Sequence, residues 1–243
     1  MIAIKTNNLT KKYKDKTVVS KLNMQIESGE FYALLGVNGA GKSTTIKMLS
    51  CLISATSGDA EVYSNSIVKN AETVKETISV SPQETSVAPN LSVRENLEFI
   101  AGVYGFSKNE AKEKAQKILE DFDMTDVASS RAKTLSGGYK RRLSIAMALI
   151  SEPKVLFLDE PTLGLDVLAR RELWKQIEKL KGKVTVILTT HYLEEAEALC
   201  DRIGIMAKGV LKAQGSAQEL IALAQAESFE DAFVRIASDE VKI

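Results

Sequence analysis

Gly36-Val37-Asn38-Gly39-Ala40-Gly41-Lys42-Ser43-Thr44 is the stretch that decides how this chain folds and what it binds. It matches G-x-x-x-x-G-K-[ST], a loop whose successive backbone N–H groups cradle phosphate oxygens. Glycine lets the backbone approach those oxygens, which a Cβ would hold away. In such a loop Lys42 reaches the β- and γ-phosphates, and the Ser43 hydroxyl ligates Mg²⁺. The stretch predicts a nucleoside triphosphate site that uses magnesium.

The segments on either side of this loop support the prediction. Residues 31–35 form a short, continuous apolar run, which is typical of a strand buried on both faces of a parallel sheet. Residues 43–50 can form a helix whose free N-terminal amides and positive dipole end point at the phosphates. We therefore expect a strand, the loop and a helix in succession.

Composition excludes several classes of protein. The 243 residues are 44% hydrophobic and 26% charged, as in ordinary globular proteins. Basic and acidic residues number 32 each, so the zero net charge gives no reason to expect a nucleic-acid partner. Cys51 and Cys200 lie far apart without metal-ligand spacing and are interpreted as small buried side chains. Without a signal-peptide core or a long apolar window, the chain is expected to be cytosolic unless another protein holds it at a membrane.

An apolar strand that ends in two carboxylates is the second candidate part of the site. Residues 155–158 are apolar and lead directly into Asp159 and Glu160. Acidic residues are unexpected at the end of a buried strand unless a cation or a reaction requires them. Asp159 is placed to hold Mg²⁺, directly or through water, and Glu160 to polarise an attacking water.

A second helix start offers another anion site. Ser136 is placed as the N-cap of a helix, and Gly137 and Gly138 leave the first amides uncovered. Taken alone, this pattern is better explained as a capped helix that follows a Gly-Gly turn. The basic run at 140–142 is interpreted as facing solvent or paired with acidic residues.

Three further residues are candidates on weaker grounds. His191, the only histidine, follows a buried strand at 184–188, where parallel-sheet proteins place ligand contacts. Tyr13, beside a polar turn, could stack on an adenine ring or simply pack at a strand end. Gln83 lies in a loop after Pro82 and carries little weight alone.

The predicted fold class is α/β. A P-loop NTPase core with a mixed, mostly parallel sheet carries an N-terminal antiparallel β subdomain and an inserted α-helical subdomain. The helical insertion is indicated by the capping-box pairs Ser92/Glu95 and Ser107/Glu110. The chain is expected to form a single domain over 1–243. Its parts are antiparallel strands with the first part of the core at 1–83, the helical subdomain at 84–152, the rest of the core at 153–215 and a helical tail at 216–243.

In their order and spacing, these motifs resemble the nucleotide-binding domain of an ATP-binding cassette (ABC) transporter over nearly the whole chain. The motifs and residues that carry the resemblance are the phosphate loop at 36–44, Gln83, Leu135 to Gly138, the Asp159–Glu160 pair, residues 164–166 and His191. The chain departs from the family at Tyr139, where glutamine is most common. The departure concerns a local contact and not ATP binding.

The resemblance implies a head-to-tail dimer that holds two ATP molecules and Mg²⁺. Lys42 and Ser43 of one chain would face Ser136 and Gly138 of the other. Glu160 would be the general base, and His191 would contact the γ-phosphate and orient that base. The resemblance gives the remaining residues these roles: adenine stacking for Tyr13, contact with Mg²⁺ or the attacking water for Gln83, and a crossing of the dimer interface for Asp166.

The end of the chain refines the expected partner. Residues 228–234 are similar to the segment that closes export-type cassettes for drugs, antibiotics, peptides and polysaccharides. The resemblance implies an ATPase subunit on the cytoplasmic face of a membrane, paired with a separate multi-span permease and with a second copy or a paralogous cassette. The alternative is a soluble cassette ATPase that acts on a macromolecular complex such as a ribosome or DNA. A kinase or GTPase would leave Leu135 to Gly138 and His191 without a role.

Overall fold

The computed structural model describes residues 1–238 and 240, so the end of the predicted 216–243 tail lies outside the described residues. In chain order the strands are β1 (Ile2–Tyr13), β2 (Lys16–Leu22), β3 (Gln25–Glu27), β4 (Phe31–Leu35), β5 (Ser57–Val62), β6 (Asn65–Ser66), β7 (Ile78–Ser81), β8 (Val155–Asp159), β9 (Thr185–Thr190), β10 (Arg202–Ala207) and β11 (Val210–Gly215). The α-helices are α1 (Lys42–Leu49), α2 (Ala71–Thr77), α3 (Val93–Val103), α4 (Lys108–Asp121), α5 (Gly137–Leu149), α6 (Val167–Glu178), α7 (Leu193–Leu199), α8 (Ala217–Ala224) and α9 (Phe229–Ala237).

The larger sheet positions the candidate site. Its strand order is β11-β10-β4-β9-β8-β7, and every neighbouring pair is parallel except β10 with β11. Every residue of β4, β8 and β9 is buried, as their apolar runs predict. Because parallel strands end at the same edge, the phosphate loop after β4, Glu160 after β8 and His191 after β9 all emerge there.

Alternation along these strands divides the core into two layers. Tyr32, Leu34 and Phe157 pack on one side of the larger sheet, against the N-terminal strands and α1. The N-terminal strands form a second sheet with the order β2-β1-β5-β6, in which β3 also pairs with β1. All of these pairs are antiparallel. Phe31 and Leu158 face the opposite layer, which contains the helical segment. The predicted α/β fold class is confirmed.

The helical segment between β7 and β8 contains α3, α4 and α5. Ser92 and Ser107 each accept a bond from the amide of the glutamate three residues on, and that glutamate accepts one from the serine amide. Both predicted capping boxes are therefore confirmed. The boundaries proposed at 84 and 152 stay predictions.

The described part of the C-terminal tail forms α8 and α9, which pack against β10 and β11. Residue 239 and residues 241–243 fall outside the description. Among the residues that the structure describes, none of the helices combines the length and the apolar character that crossing a bilayer requires.

Candidate active site

The phosphate loop forms an open cradle at the start of α1. Gly39 and Gly41 have φ angles of 82° and 104°, in the left-handed region that favours glycine. A Cβ on Gly41 would lie 2.7 Å from the Val18 carbonyl oxygen, whereas one on Gly39 would meet no heavy atom within 4 Å. The backbone at Gly39 is thus exposed for close approach, as a phosphate group requires.

Lys42 is held inside this cradle. Its side chain is buried, and Nζ donates to the Gly36 carbonyl oxygen at 2.6 Å. The same nitrogen lies 3.4 Å from Oε1 of Glu160. A buried ammonium needs anionic partners, and triphosphate oxygens in the cradle would supply further ones.

Ser43 and Asp159 form a pair of oxygen donors beside the lysine. Ser43 Oγ donates to Oδ1 of Asp159 at 2.9 Å, and Thr189 Oγ1 donates to the same carboxylate oxygen. Magnesium in nucleotide sites is held by one or two protein oxygens together with phosphate oxygens, so this donor set fits the ion. Thr189 was not predicted as a site residue, although a polar threonine that follows the apolar residues 186–188 of a buried strand is a usable signal.

Glu160 has an unusual backbone conformation. Its φ is 49°, a sparsely populated value for a residue with a Cβ, and its amide donates to Thr189 O at 3.1 Å. The side chain is only 7% exposed, and Oε2 lies 2.7 Å from Nδ1 of the half-buried His191. The carboxylate is therefore fixed between an ammonium and an imidazole, which is the arrangement that a positioned base needs.

These groups share one cavity of about 290 Å³. It is lined by Val18, Asn38, Gly39, Ala40, Gly41, Lys42, Ser43, Thr44, Gln83, Glu160, Leu163 and His191. The structure thus brings together most of the residues predicted to bind nucleotide, with Asp159 bonded to Ser43 at their side.

Tyr13 and Asp166 are predicted site residues that lie outside this cavity's lining. Tyr13, the last residue of β1, is 48% exposed, with Lys11 Nζ 5.0 Å from its ring centroid. Asp166 caps α6, where its Oδ1 accepts the amides of Leu168 and Ala169 at 2.9 Å. The roles of Tyr13 and Asp166, like those of the cavity residues, stay predictions.

The second predicted anion site faces elsewhere. Ser136 caps α5 by accepting the Tyr139 amide at 3.3 Å, so the predicted N-cap is confirmed. Ser136 and Gly138 line a different cavity with Tyr139, whose ring lies 4.9 Å from the Arg142 guanidinium. Within this chain the two anion sites do not meet.

The basic run after this motif includes one exception to the prediction. Arg141, expected to face solvent or an acidic partner, is 4% exposed. Its guanidinium donates to backbone carbonyl oxygens, including that of Pro161 at 2.8 Å and that of Asp159 at 2.9 Å. The prediction was wrong for this residue because its acceptors come from loops distant in sequence.

Known proteins resemble this chain in sequence. A family profile described as ABC transporter matches residues 19–163. The linearmycin resistance ATP-binding protein LnrL of Bacillus subtilis is 41% identical over 218 residues, which are 89% of this chain and 70% of that protein. The probable multidrug ABC transporter ATP-binding protein YbhF of Escherichia coli is 39% identical over 242 residues, or 97% of this chain. The chain spans only 42% of the length of YbhF.

Solved structures agree with these sequence matches. The ATP-binding subunit of an ABC transporter superposes with a TM-score of 0.84 at 29% identity, covering 96% of this chain and 99% of that one. A dimeric ATP-binding cassette bound to ADP and phosphate gives a TM-score of 0.78 at 25% identity, covering 88% of this chain and 98% of that one. The phosphate cradle, the paired carboxylates and these likenesses have one explanation: the chain belongs to the ABC transporter family, as an ATP-binding ATPase.

Proposed function

We propose that this chain is the ATPase subunit of an exporter, and that it drives a separate membrane permease by ATP-dependent dimerisation. The observation that carries the proposal is the separation of the two anion sites. Lys42, Glu160 and His191 line one cavity, whereas Ser136 and Gly138 line another. Two chains arranged head to tail would bring each kind of site against the other.

In this account the phosphate loop captures the triphosphate. The amides of the loop and the Lys42 ammonium bind the β- and γ-phosphates. Ser43 and Asp159 would hold Mg²⁺, with Gln83 at the edge of the cavity as a further predicted contact. When bound, the ion would neutralise charge that develops on the phosphate oxygens.

Hydrolysis then depends on Glu160. Its carboxylate accepts a proton from water as the water oxygen attacks the γ-phosphorus, and the bond to the β–γ bridging oxygen breaks to release ADP. His191 holds Glu160 in place through Nδ1, and its second ring nitrogen is available to a γ-phosphate oxygen. Tyr13 stacks on adenine from the N-terminal sheet.

The second copy, or a paralogous cassette, completes each site. Ser136 and the exposed start of α5 supply a serine hydroxyl and free amides to the γ-phosphate of the facing chain. Asp166, at the N-cap of α6, crosses the same interface. This division explains why one chain carries two anion sites for one substrate.

A surface groove provides the permease contact. It lies where β7 meets α3 and α5, and its lining includes Pro82, Ile100, Val103 and Tyr104. Val103 and Tyr104 are 67% and 51% exposed, and adjacent exposed apolar side chains can mark a protein-interaction surface. Because Gln83 follows Pro82 directly, a permease segment in this groove would act on the loop that reaches the ATP cavity.

Export, rather than import, is supported by the names of relatives that match this chain, which include resistance and multidrug proteins. The export-like segment at 228–234 overlaps α9. A subunit held by such a permease would sit on the cytoplasmic face of the membrane.

The proposal can be tested by co-purification. We would tag the Glu160→Gln chain, extract it with ATP and detergent from membranes of its host, and identify the proteins that accompany it. We expect a stoichiometric multi-span protein that disappears when Val103→Asp and Tyr104→Asp are added. Recovery of ribosomes or soluble complexes alone would contradict the transporter role.

A further inference from the structure

The Arg141 guanidinium contacts two chain segments that lie far from α5 in sequence. Nε donates to Pro161 O at 2.8 Å, and Nη2 donates to Asp159 O at 2.9 Å. Nη1 donates to Pro82 O and, at 3.5 Å, to Gln83 O. All four acceptors are backbone carbonyls, so the interaction depends on where these loops run.

Two of these acceptors flank Glu160 in sequence. Asp159 precedes it and Pro161 follows it, so the guanidinium is hydrogen-bonded to the backbone on both sides of the predicted base. Glu160 is the residue with the left-handed φ of 49°, which needs support from its surroundings. The other two acceptors belong to the segment that carries Gln83.

Burying the charged Arg141 side chain costs free energy, so fold stability alone does not explain its position. No ion pair of Arg141 is found among residues 1–238 and 240. Burial lowers the pKa of its guanidinium to about 10, although the Asp159 and Glu195 carboxylates counteract part of that shift. The group therefore remains charged at neutral pH and is stabilised mainly by carbonyl dipoles.

Arg141 lies on α5, which is called the signature helix from here on. This helix begins next to Ser136, the residue proposed to meet the partner's nucleotide. One rigid helix thus presents Ser136 at its N-terminus and the guanidinium on its buried side.

We propose that Arg141 is a positioning residue that fixes the backbone of Glu160 and links it to the signature helix and the Gln83 loop. The inference rests on the proposed function and deepens it. When the partner's nucleotide engages Ser136, a shift of α5 is passed through the guanidinium to the base of the same chain. Hydrolysis in one site is thereby coupled to occupation of the other.

Only an arginine side chain can make these contacts together. Its planar group directs N–H bonds along fixed, separate directions, whereas a lysine ammonium is a single point. Arg141→Lys therefore keeps the charge but cannot make all of these hydrogen bonds at the same time. Arg141→Gln removes the charge as well.

We would measure ATP turnover, nucleotide affinity with a fluorescent ATP analogue, and thermal stability for both variants of the full chain. Arg235→Lys is the matched control, because Arg235 also donates to backbone carbonyls, those of Ala224 and Gln225, but lies in α9. We expect kcat to fall about 10- to 100-fold in Arg141→Lys, the rate equivalent of losing a charge-assisted hydrogen bond. Nucleotide affinity should stay within about twofold, and Arg235→Lys should match the wild type in both.

A double-mutant cycle separates positioning from general stability. If Arg141 acts by positioning the Gln83 side chain, Arg141→Lys combined with Gln83→Ala should lose less than the product of the single losses, because the second substitution leaves no side chain to position. Arg235→Lys combined with Gln83→Ala should be additive. Independent losses in the first cycle would overturn the inference.

Equal loss of turnover and nucleotide affinity in Arg141→Lys, or kcat within twofold of the wild type, would also overturn the inference. The proposed function has a separate check. If the wild type hydrolyses ATP and Glu160→Gln does not, a normal Arg141→Lys variant refutes the positioning role alone. If Glu160→Gln turns over normally, the proposed function itself fails.

Discussion

The starts of α1 and α5 are both glycine-rich helix N-termini, yet they differ in burial and in the groups around them. At α1, Lys42 is buried with Glu160 at 3.4 Å, and Ser43 bonds Asp159 at 2.9 Å. At α5, Ser136 and Gly137 are exposed, and the serine caps its own helix. The first is surrounded by the groups that phosphate chemistry needs, and the second presents amides to a surface cavity.

This difference assigns separate tasks to the two sites. Capture of a nucleotide should depend on the α1 site within one chain. Hydrolysis should depend on both sites, because the α5 site reaches a nucleotide only from a second chain. Substitutions that separate capture from turnover test the distinction.

The largest effect is expected for Glu160→Gln. The amide retains the shape of the carboxylate but cannot accept the proton of the attacking water. We expect turnover to fall about 10²- to 10⁴-fold, the usual contribution of general acid–base catalysis. Nucleotide affinity measured on the monomer should persist, and near-normal turnover would remove Glu160 from the role of base.

Gly138→Asp should distinguish most clearly between nucleotide capture, which depends on the α1 site, and hydrolysis, which depends on both sites. A Cβ on Gly138 would lie 3.1 Å from that of Ala169, and the added carboxylate would repel a partner's γ-phosphate. We expect turnover to fall about 10²- to 10³-fold, as for the loss of a positioned anion donor. Gly102→Asp is the control, since a Cβ at Gly102 meets no heavy atom within 4 Å.

If Gly138→Asp lost monomer binding of nucleotide in parallel with turnover, the two sites would not be separate. Thermal unfolding of both glycine variants would establish that each is folded. A Gly138→Asp chain with full turnover would remove the α5 site from the reaction.

Ser43→Ala tests the magnesium role predicted for the α1 site. Removing the hydroxyl takes away one predicted magnesium ligand and the bond to Asp159. We expect the magnesium concentration for half-maximal turnover to rise about 10- to 100-fold, as for loss of an oriented metal contact. Thr45→Ser, which keeps a hydroxyl that bonds Gly41 O, should leave this concentration unchanged. Equal magnesium dependence in Ser43→Ala and the wild type would refute the assignment.

The smallest effect concerns Glu195, a buried carboxyl on α7 whose Oε1 accepts the Trp174 indole N–H at 3.1 Å. Burial raises its pKa above the ordinary value. A carboxyl with a raised folded-state pKa contributes full stability at low pH and loses it as pH rises through that pKa. The free energy of unfolding of Glu195→Gln should therefore rise relative to that of the wild type as pH increases, by about 1 kcal/mol, the central size for point substitutions. Melting temperatures of both proteins across the pH range would show the change.

Glu197→Gln, which changes an exposed glutamate on the same helix, is the control for that measurement. A gap between Glu195→Gln and the wild type that stayed constant or narrowed with rising pH would contradict the raised pKa.

The sequence allowed much of the α1 site to be predicted because its residues are contiguous or end buried strands. The phosphate loop, the carboxylate pair and His191 could each be read from local pattern, and the parallel order of β4, β9 and β8 then brings them together. The α5 site was ambiguous from its own residues, since a capped helix after two glycines has the same pattern. Only the family resemblance gave it a function.

What could not be predicted depends on contacts between distant segments. Thr189 meets Asp159 across paired strands, and the burial of Arg141 depends on carbonyls of two loops far from α5. The left-handed backbone of Glu160 likewise has no local sequence signal, because glycine is the usual residue there. Such features follow from the packed fold rather than from any short stretch.

The α1 site of one chain is expected to meet the α5 site of another around ATP. The most direct test is the mass in solution, with saturating ATP and magnesium, of Glu160→Gln and of Glu160→Gln combined with Gly138→Asp. We expect the first to shift from its 26.5 kDa chain mass to twice that value. The second should still bind ATP yet stay monomeric. Equal dimerisation of both variants, or a Glu160→Gln chain that remains monomeric, would contradict the account.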